Sequence, residues 1–253
     1  MSGGRTSRIW TSIALLARRE GASMSPRHAC LACTEAVGVR GAGLLLADHM
    51  GSLEPVFVTD SHAGEVEELQ ATVGEGPGID ALESGRPTLV GDLAAPISNR
   101  RWPMFAPEAG RLGVCAMYSL PLALGAIRVG VLDLYQDTPG HLDESQLMDA
   151  LIYADTALLL VLDVQSGIAT SADGDGPDGL GPVLWHAEVH QAAGMISVQL
   201  GVSALDALVR LRAYAYSHDR PLTDVARAVV ERRLRFHPDD AEPAADHVGR
   251  GRR

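Results

Sequence analysis

Lysine is absent from this 253-residue chain, so all 21 basic residues are arginine, a bias we attribute to codon usage in a GC-rich genome before any binding role. Cysteine is scarce. Three residues, an odd number, exclude the paired framework of a small secreted domain, and the N-terminus lacks a charged, apolar, cleavable leader. The expected compartment is the cytoplasm. Aromatic side chains make up 4% of the chain against a hydrophobic fraction of 46%, so the core must be built from Leu, Val, Ile and Ala. No uninterrupted apolar run approaches the roughly 18 residues of a membrane span. The longest helical stretch, near Ala150 to Val164, is broken by Asp155 and Asp163. Neither a nucleophile elbow nor an HExxH, nor any Ser/His/Asp spacing, is present, so the expectation is a protein that is not an enzyme and holds no metal.

Positive charge is also in short supply, since the net charge of −11 repels a polyanion from the chain taken as a whole. Its distribution is uneven. Val183 to Phe236 holds seven Arg against five acids, a net of +2, which leaves −13 for the remainder.

A chain of this length suits one larger domain and one small one. The boundary is marked by Gly167 to Pro182, which has five Gly, three Asp and two Pro in 16 residues. Such a stretch reads as a flexible linker (residues 166–182) with a span of roughly 20 Å. Residues 237–253 mix Pro, Asp and Gly and read as a disordered tail. Before the linker, over residues 7–165, Ile9 to Glu20 and Pro26 to Ala36 read as helices, and Ala42 to Asp48, Val56 to Thr59 and Thr88 to Val90 as short strands. Val114 to Leu124 and Ile127 to Tyr135, joined at Gly125-Ala126, form a hairpin pattern. A helix follows from Asp143 to Val164, with Leu147, Leu151, Ala154, Leu158 and Leu162 at helical spacing. Strands in the middle with helices at both ends predict an α+β domain, an antiparallel sheet with flanking helices.

After the linker, residues 183–236 read as an all-α, three-helix domain. Helix one runs from Trp185 to Leu200 with Trp185, Val189, Ala192, Ile196 and Leu200 on one stripe, and stops at Gly201. Ser203, with Asp206 three residues on, imitates a capping box that opens helix two, which reaches His218. Thr223 or Asp224 opens helix three, which is predicted to bury Leu222, Val225, Ala226 and Val229 and to end near Phe236.

The segments GEGPGIDAL (Gly74 to Leu82), SGRPTLVGDL (Ser84 to Leu93), RWPMFAPEAGRLGV (Arg101 to Val114) and SLPLALGAIRVGVLDLYQ (Ser119 to Gln136), with the helix that follows, resemble a GAF sensor domain of the kind fused to ANTAR modules in actinobacterial regulators. The resemblance implies a sheet with a small-molecule pocket on one face and dimerising helices on the other, hence a homodimer. One departure is Gly78, where relatives often carry Cys. The GEGPG loop is either a tight turn or a place where backbone approaches a ligand. Trp102, Phe105, Met117, Tyr118 and Tyr135 are the candidate lining of a ligand site, the ligand itself being unknown. Cys30 and Cys33 lie one helical turn apart and are either buried structural thiols or a redox or metal pair. In the redox case the best enzymatic alternative is a thiol reductase of free methionine sulfoxide.

The C-terminal residues Gln191-Ala192-x-Gly194-Met195, Gly201-Val202-Ser203, Ala207-Leu208, Leu211-Arg212, Tyr214, Arg220, Leu222 and Asp224-Val225-Ala226 resemble the ANTAR domain along nearly its whole length. That implies recognition of RNA stem-loops and control of transcription termination. Here too there is a departure: Ala193 stands where relatives commonly have a basic residue. RNA contact is therefore expected from helices two and three, with Arg210, Arg212, Arg220 and Arg227 meeting phosphates and Tyr214 stacking a loop base, and with Arg210, Tyr214 and Ser217 sharing a face. Arg227 and Arg235 are expected to flank Glu231 on helix three. A DNA-binding helix-turn-helix and a scaffold without RNA affinity are the alternatives.

Overall fold

The computed structural model describes residues 2–48, 51–125, 127–166, 187–202, 204–218 and 220–237. The chain divides into two compact units, residues 1–185 and 186–253. Nearly all of the expected linker and tail (166–182 and 237–253) lies outside the described residues.

In the first unit, helices α1 (Ser2–Arg19) and α2 (Pro26–Val37) precede strands β1 (Gly41–Ala47) and β2 (Leu53–Val58). Next come α3 (Ser61–Val73), α4 (Pro77–Ser84), β3 (Thr88–Val90), α5 (Pro96–Arg101) and α6 (Phe105–Arg111). The hairpin β4 (Ala116–Leu124) and β5 (Ile127–Gln136) and the helix α7 (Glu144–Ser166) complete it. The five strands form one antiparallel sheet in the order β2-β1-β5-β4-β3. The expected hairpin is present, in register from Ala116↔Gln136 to Leu124↔Ile127.

Strand parity sorts the side chains into two layers. Even-numbered residues of the central strands (Ala42, Leu44, Tyr118, Leu120, Leu122, Leu132, Leu134) are buried in one cluster with Ile9 and Ile13 of α1, Ala29 and Cys33 of α2, and Tyr153, Ala157 and Val161 of α7. Odd-numbered residues face the other way, where Met117 and Tyr135 pack with Ala63 and Val66 of α3 and with Trp102, Phe105 and Ala109. By length and composition α7 could cross a membrane. Its inner face is nonetheless committed to the sheet and α2. The predicted stripe faces the core: Ala154 and Leu158 are buried in it and Leu147, Leu151 and Leu162 pack against it, whereas Leu159, outside the stripe, is 53% exposed.

Four helices, α3 to α6, fill the region between β2 and β4 that reads as loops and one short strand in the sequence. The buried residues of α3 are Ala63, Val66, Glu67, Gln70 and Thr72. Three of those five are polar, so no apolar period shows.

The second unit contains α8 (Ala187–Leu200), α9 (Ala204–Ser217) and α10 (Leu222–Val230). Val189, Ala192, Ile196, Ala207, Leu208, Leu211, Ala215, Leu222, Val225, Ala226 and Val229 are buried, as a three-helix bundle requires. Gly201 ends α8 with φ +65, the left-handed conformation that glycine adopts without strain. The third helix stops at Val230, not near Phe236 as the sequence suggested. Arg232 turns the chain at φ 60, and the amides of Arg233 and Leu234 both bond to the carbonyl of Ala228 at 2.8 and 2.9 Å. This reversal delivers Phe236 into the bundle, where it is buried and its amide donates to Gln199 Oε1 at 3.1 Å.

Candidate functional sites

The α3–α6 side of the sheet carries a polar row that crosses four strands. Gly43 of β1 lies opposite Asp133 of β5, Asp133 opposite Ser119 of β4, and Ser119 opposite Thr88 of β3. Glu67 and Gln70 descend on it from α3, and all four polar side chains of the cluster, Glu67, Gln70, Ser119 and Asp133, are buried. Gln70 ties the cluster together. Its Nε2 donates to Glu67 Oε2 at 2.7 Å and Asp133 Oδ2 at 2.9 Å, while its Oε1 accepts from the Gly78 amide at 2.8 Å. Ser119 Oγ and Asp133 Oδ1 are buried without a hydrogen-bond partner in the structure.

Burial penalises both carboxylates. Desolvation pushes Asp133 up to about 6, with Ser119, Gln70 and Glu67 drawing it partly back. Glu67 is raised well above the carboxylate range, by burial first and then by the neighbouring Asp133 charge. Both carboxyls therefore keep a proton to higher pH than exposed carboxyls do.

This geometry accounts for the GEGPG loop and for Gly78. A Cβ on Gly78 would lie 2.4 Å from Asp133 Oδ2, and one on Gly76 2.4 Å from Gln70 Oε1. Glu75 Oε1 accepts from the amides of Met104 and Phe105, at 2.6 and 2.9 Å, opening α6. Gly78 thus leaves room for the Asp133 carboxylate.

The five candidate lining residues do not form one wall. Trp102, Phe105, Met117 and Tyr135 are buried side by side in the α3–α6 layer, with Tyr135 Oη donating to Asp60 Oδ1 at 2.8 Å. Tyr118, adjacent to Met117 on β4, must point to the opposite face, where it packs under α7 and donates to the Gly140 carbonyl at 3.1 Å. Trp102 Nε1 is buried with no hydrogen-bond partner, and the guanidinium of Arg101 lies 4.7 Å from its ring. Glu67, Gln70, Ser119 and Asp133 were not singled out in the sequence. Asp133 carried the available signal, a carboxylate between Leu132 and Leu134 in an otherwise apolar strand.

Cys30 and Cys33 are both fully buried. Desolvation pushes Cys30 up to about 12 and Cys33 well above its ordinary value, so both are thiols, poor nucleophiles and poor ligands. Among the described residues, no group of three His, Cys, Asp or Glu is placed to hold a metal ion.

In the second unit the candidate RNA contacts are split by helix geometry. At about 100° per residue, Arg210 and Arg212 point about 160° apart around α9. Arg210 and Tyr214 share one flank, while Arg212 and Tyr216 share the other. Tyr214 is only partly exposed; its ring stacks on His218 at 3.9 Å and meets Phe236 at 5.3 Å. Ser217 is exposed and donates to the Tyr214 carbonyl at 3.0 Å. Arg220, also exposed, reaches the Asp224 carbonyl at 3.5 Å. Arg227 pairs with Asp224 at 3.6 Å, and Glu231 with Arg233 at 2.6 Å. The expected Arg227–Glu231–Arg235 arc is therefore not formed, because the helix ends before Arg235. Ala193 is 4% exposed and lies on the packed face of α8, so its short side chain fits the helix contact.

Comparison with known proteins follows this division. The GAF domain family model matches residues 27–157, and the ANTAR domain model matches residues 186–230. Among solved structures, the chain is similar to the GAF domain of a phosphoenolpyruvate-protein phosphotransferase from Coxiella burnetii (14% identity, 65% of this chain and 98% of that chain, TM-score 0.47). It is also similar to the GAF domain of the corresponding protein from Acinetobacter (11%, 66% and 98%, 0.46). A type II free methionine-R-sulfoxide reductase from Thermoplasma acidophilum matches as well (14%, 54% and 89%, 0.40). No curated protein matches the chain. With a sensor-type sheet domain over its first unit and a regulatory three-helix module over its second, the chain belongs to the GAF domain family and carries an ANTAR domain at its C-terminal end.

Proposed function

We propose that this protein is a cytoplasmic, signal-responsive regulator whose ANTAR module binds RNA stem-loops and thereby controls transcription termination. The ANTAR match over residues 186–230 carries this reading, since domains of that family are RNA-binding antitermination regulators. The net +2 of residues 183–236 within a chain of −11 supports it, because phosphate attraction depends on local charge. The GAF domain supplies the sensor. In its α3–α6 layer Trp102 Nε1, a donor, and Asp133 Oδ1, an acceptor, are buried without partners, which supports a small molecule presenting an acceptor to the first and a donor to the second as the class of signal. The protein works as a homodimer through α1 and α7, where Leu15, Met148 and Leu159 are exposed apolar side chains on helices otherwise committed to the core.

Filter binding of the full chain to a tandem-hairpin RNA, with duplex DNA as competitor, tests the central claim. Retention of RNA at excess DNA is the expected result. Equal competition would favour a helix-turn-helix reader of DNA, and no binding to either would leave a sensor or scaffold.

A further inference from the structure

We infer that the edge of α9 from Val209 through Arg212 to Tyr216 is where the ANTAR module takes an unpaired RNA base, with Tyr216, not Tyr214, as the stacking platform. The inference rests on the RNA-binding reading above and assigns its contact surface.

Tyr214 is already engaged. One face of its ring lies against His218 at 3.9 Å and 16° between planes, and Phe236 closes on it at 5.3 Å. A base could stack there only by displacing His218. Tyr214 is better explained as the anchor that holds Phe236, and with it residues 231–237, on the bundle.

Tyr216 is 43% exposed, and Val209, on the same edge, is 56% exposed. Residues 209, 212, 213 and 216 recur at helical spacing and present Val, Arg, Ala and Tyr. An exposed aromatic on a helix that has no role in solution is normally set among charged residues. This one shares its edge with Val209 and Ala213, apolar neighbours suited to the face of a base, and with a single charge, Arg212. The charge is of the right sign for the occupant proposed. Asp206 is the sole acid of α9, in its first turn, whereas Arg212 precedes Tyr216 by one turn and Arg220 follows it by four residues. At i, i+4 spacing the half-buried Arg212 side chain is a neighbour of the Tyr216 ring, so in the proposed complex one nucleotide stacks on the tyrosine while its phosphate draws the guanidinium from the contact it makes within the protein.

The test uses the full chain and a tandem-hairpin RNA selected for tightest binding to it. Tyr216→Ala should weaken binding roughly 5- to 100-fold with the salt dependence unchanged, and Tyr216→Phe should restore it, since stacking needs the ring and not the hydroxyl. Arg212→Ala should weaken binding and lower the salt slope by roughly 0.7 to 0.9, the mark of one phosphate contact. An RNA whose loop carries an abasic nucleotide at the stacked position should bind wild type and Tyr216→Ala alike. Melting curves accompany each variant: Tyr214→Ala should lower the melting temperature of the module and Tyr216→Ala should not. The inference is overturned if Tyr216→Ala binds as wild type does, or if Tyr214→Ala loses binding with its melting curve intact. It is also overturned if Tyr216→Ala disrupts self-association and leaves RNA affinity untouched, which would make this edge a contact between copies. Failure of the wild-type chain to bind any structured RNA would instead remove the reading on which the inference stands.

Discussion

Replacing Asp133 with Asn preserves the shape of the side chain and its bond from Gln70 while removing its charge, so the effect on stability must vary with pH in a definite sense. In the unfolded chain the carboxyl titrates near 3.8; folded, burial raises it to about 6. A folded value above the unfolded one means that the native state holds its proton longer. The carboxyl therefore costs nothing below about pH 4, and stability is lost as the pH rises from there through about 6. That difference corresponds to about 3 kcal/mol. The titratable group facing Asp133 within the cluster is Glu67, whose carboxyl burial also raises. Gln70 of α3, Ser119 of β4, Gly43 of β1 and Gly78 of α4 complete its surroundings and do not titrate. Trp10 and Trp102 lie in the first unit, so in a Trp185→Phe background urea unfolding followed by tryptophan fluorescence reports on that unit selectively. The stability of wild type minus that of Asp133→Asn should fall by about 3 kcal/mol between pH 4 and pH 7 and then level off. A difference that stays flat from pH 4 to 8, or rises, would refute the buried, proton-holding pair.

Gly78→Ala should destabilise the GAF domain by about 1 to 3 kcal/mol through the clash with Asp133, and Asp133→Ala in the same chain should recover most of that loss; additivity in the double-mutant cycle would contradict the geometry. Leu159→Glu with Leu15→Glu should give monomers in sedimentation with the fold intact, whereas Leu158→Glu should unfold the domain, since Leu158 points into the core. Phe236→Ala should lower the stability of the ANTAR module by about 3 kcal/mol, seen as an earlier melting transition by circular dichroism.

What could be read from the sequence was set by how plainly each element buries apolar groups. The β4–β5 hairpin and α7 stand out because their inward positions are Leu, Val and Ala. The α3 helix does not, because Glu67 and Gln70 occupy its inward face; the signals it did carry were its ends, Asp60 capping the Ala63 amide at 2.8 Å and Gly74 at φ 72. Tyr118 was grouped with Met117 on residue type, although neighbours on a strand face opposite ways. Ala193 was weighed as a missing surface charge, and only packing shows that it is interior. The end of α10 was invisible for a different reason: the left-handed turn falls on Arg232, where neither Gly nor Pro announces it. Which arginines share a flank of α9 followed from helical period alone and could have been worked out beforehand.

The row from Gly43 to Thr88 also bears on how the sheet avoids being assembled wrongly. Central strands rich in Leu and Val are interchangeable in their apolar contacts, so a hairpin displaced by two residues would keep its faces and lose little burial. Asp133 removes that tolerance. Shifted by two, it would sit opposite Met117 or Pro121 and leave the reach of Gln70; shifted by one, it would be driven among Leu120, Leu122 and the helices. Either error strands a carboxyl group in hydrocarbon, so a single acidic residue acts as the address that fixes where five strands must meet.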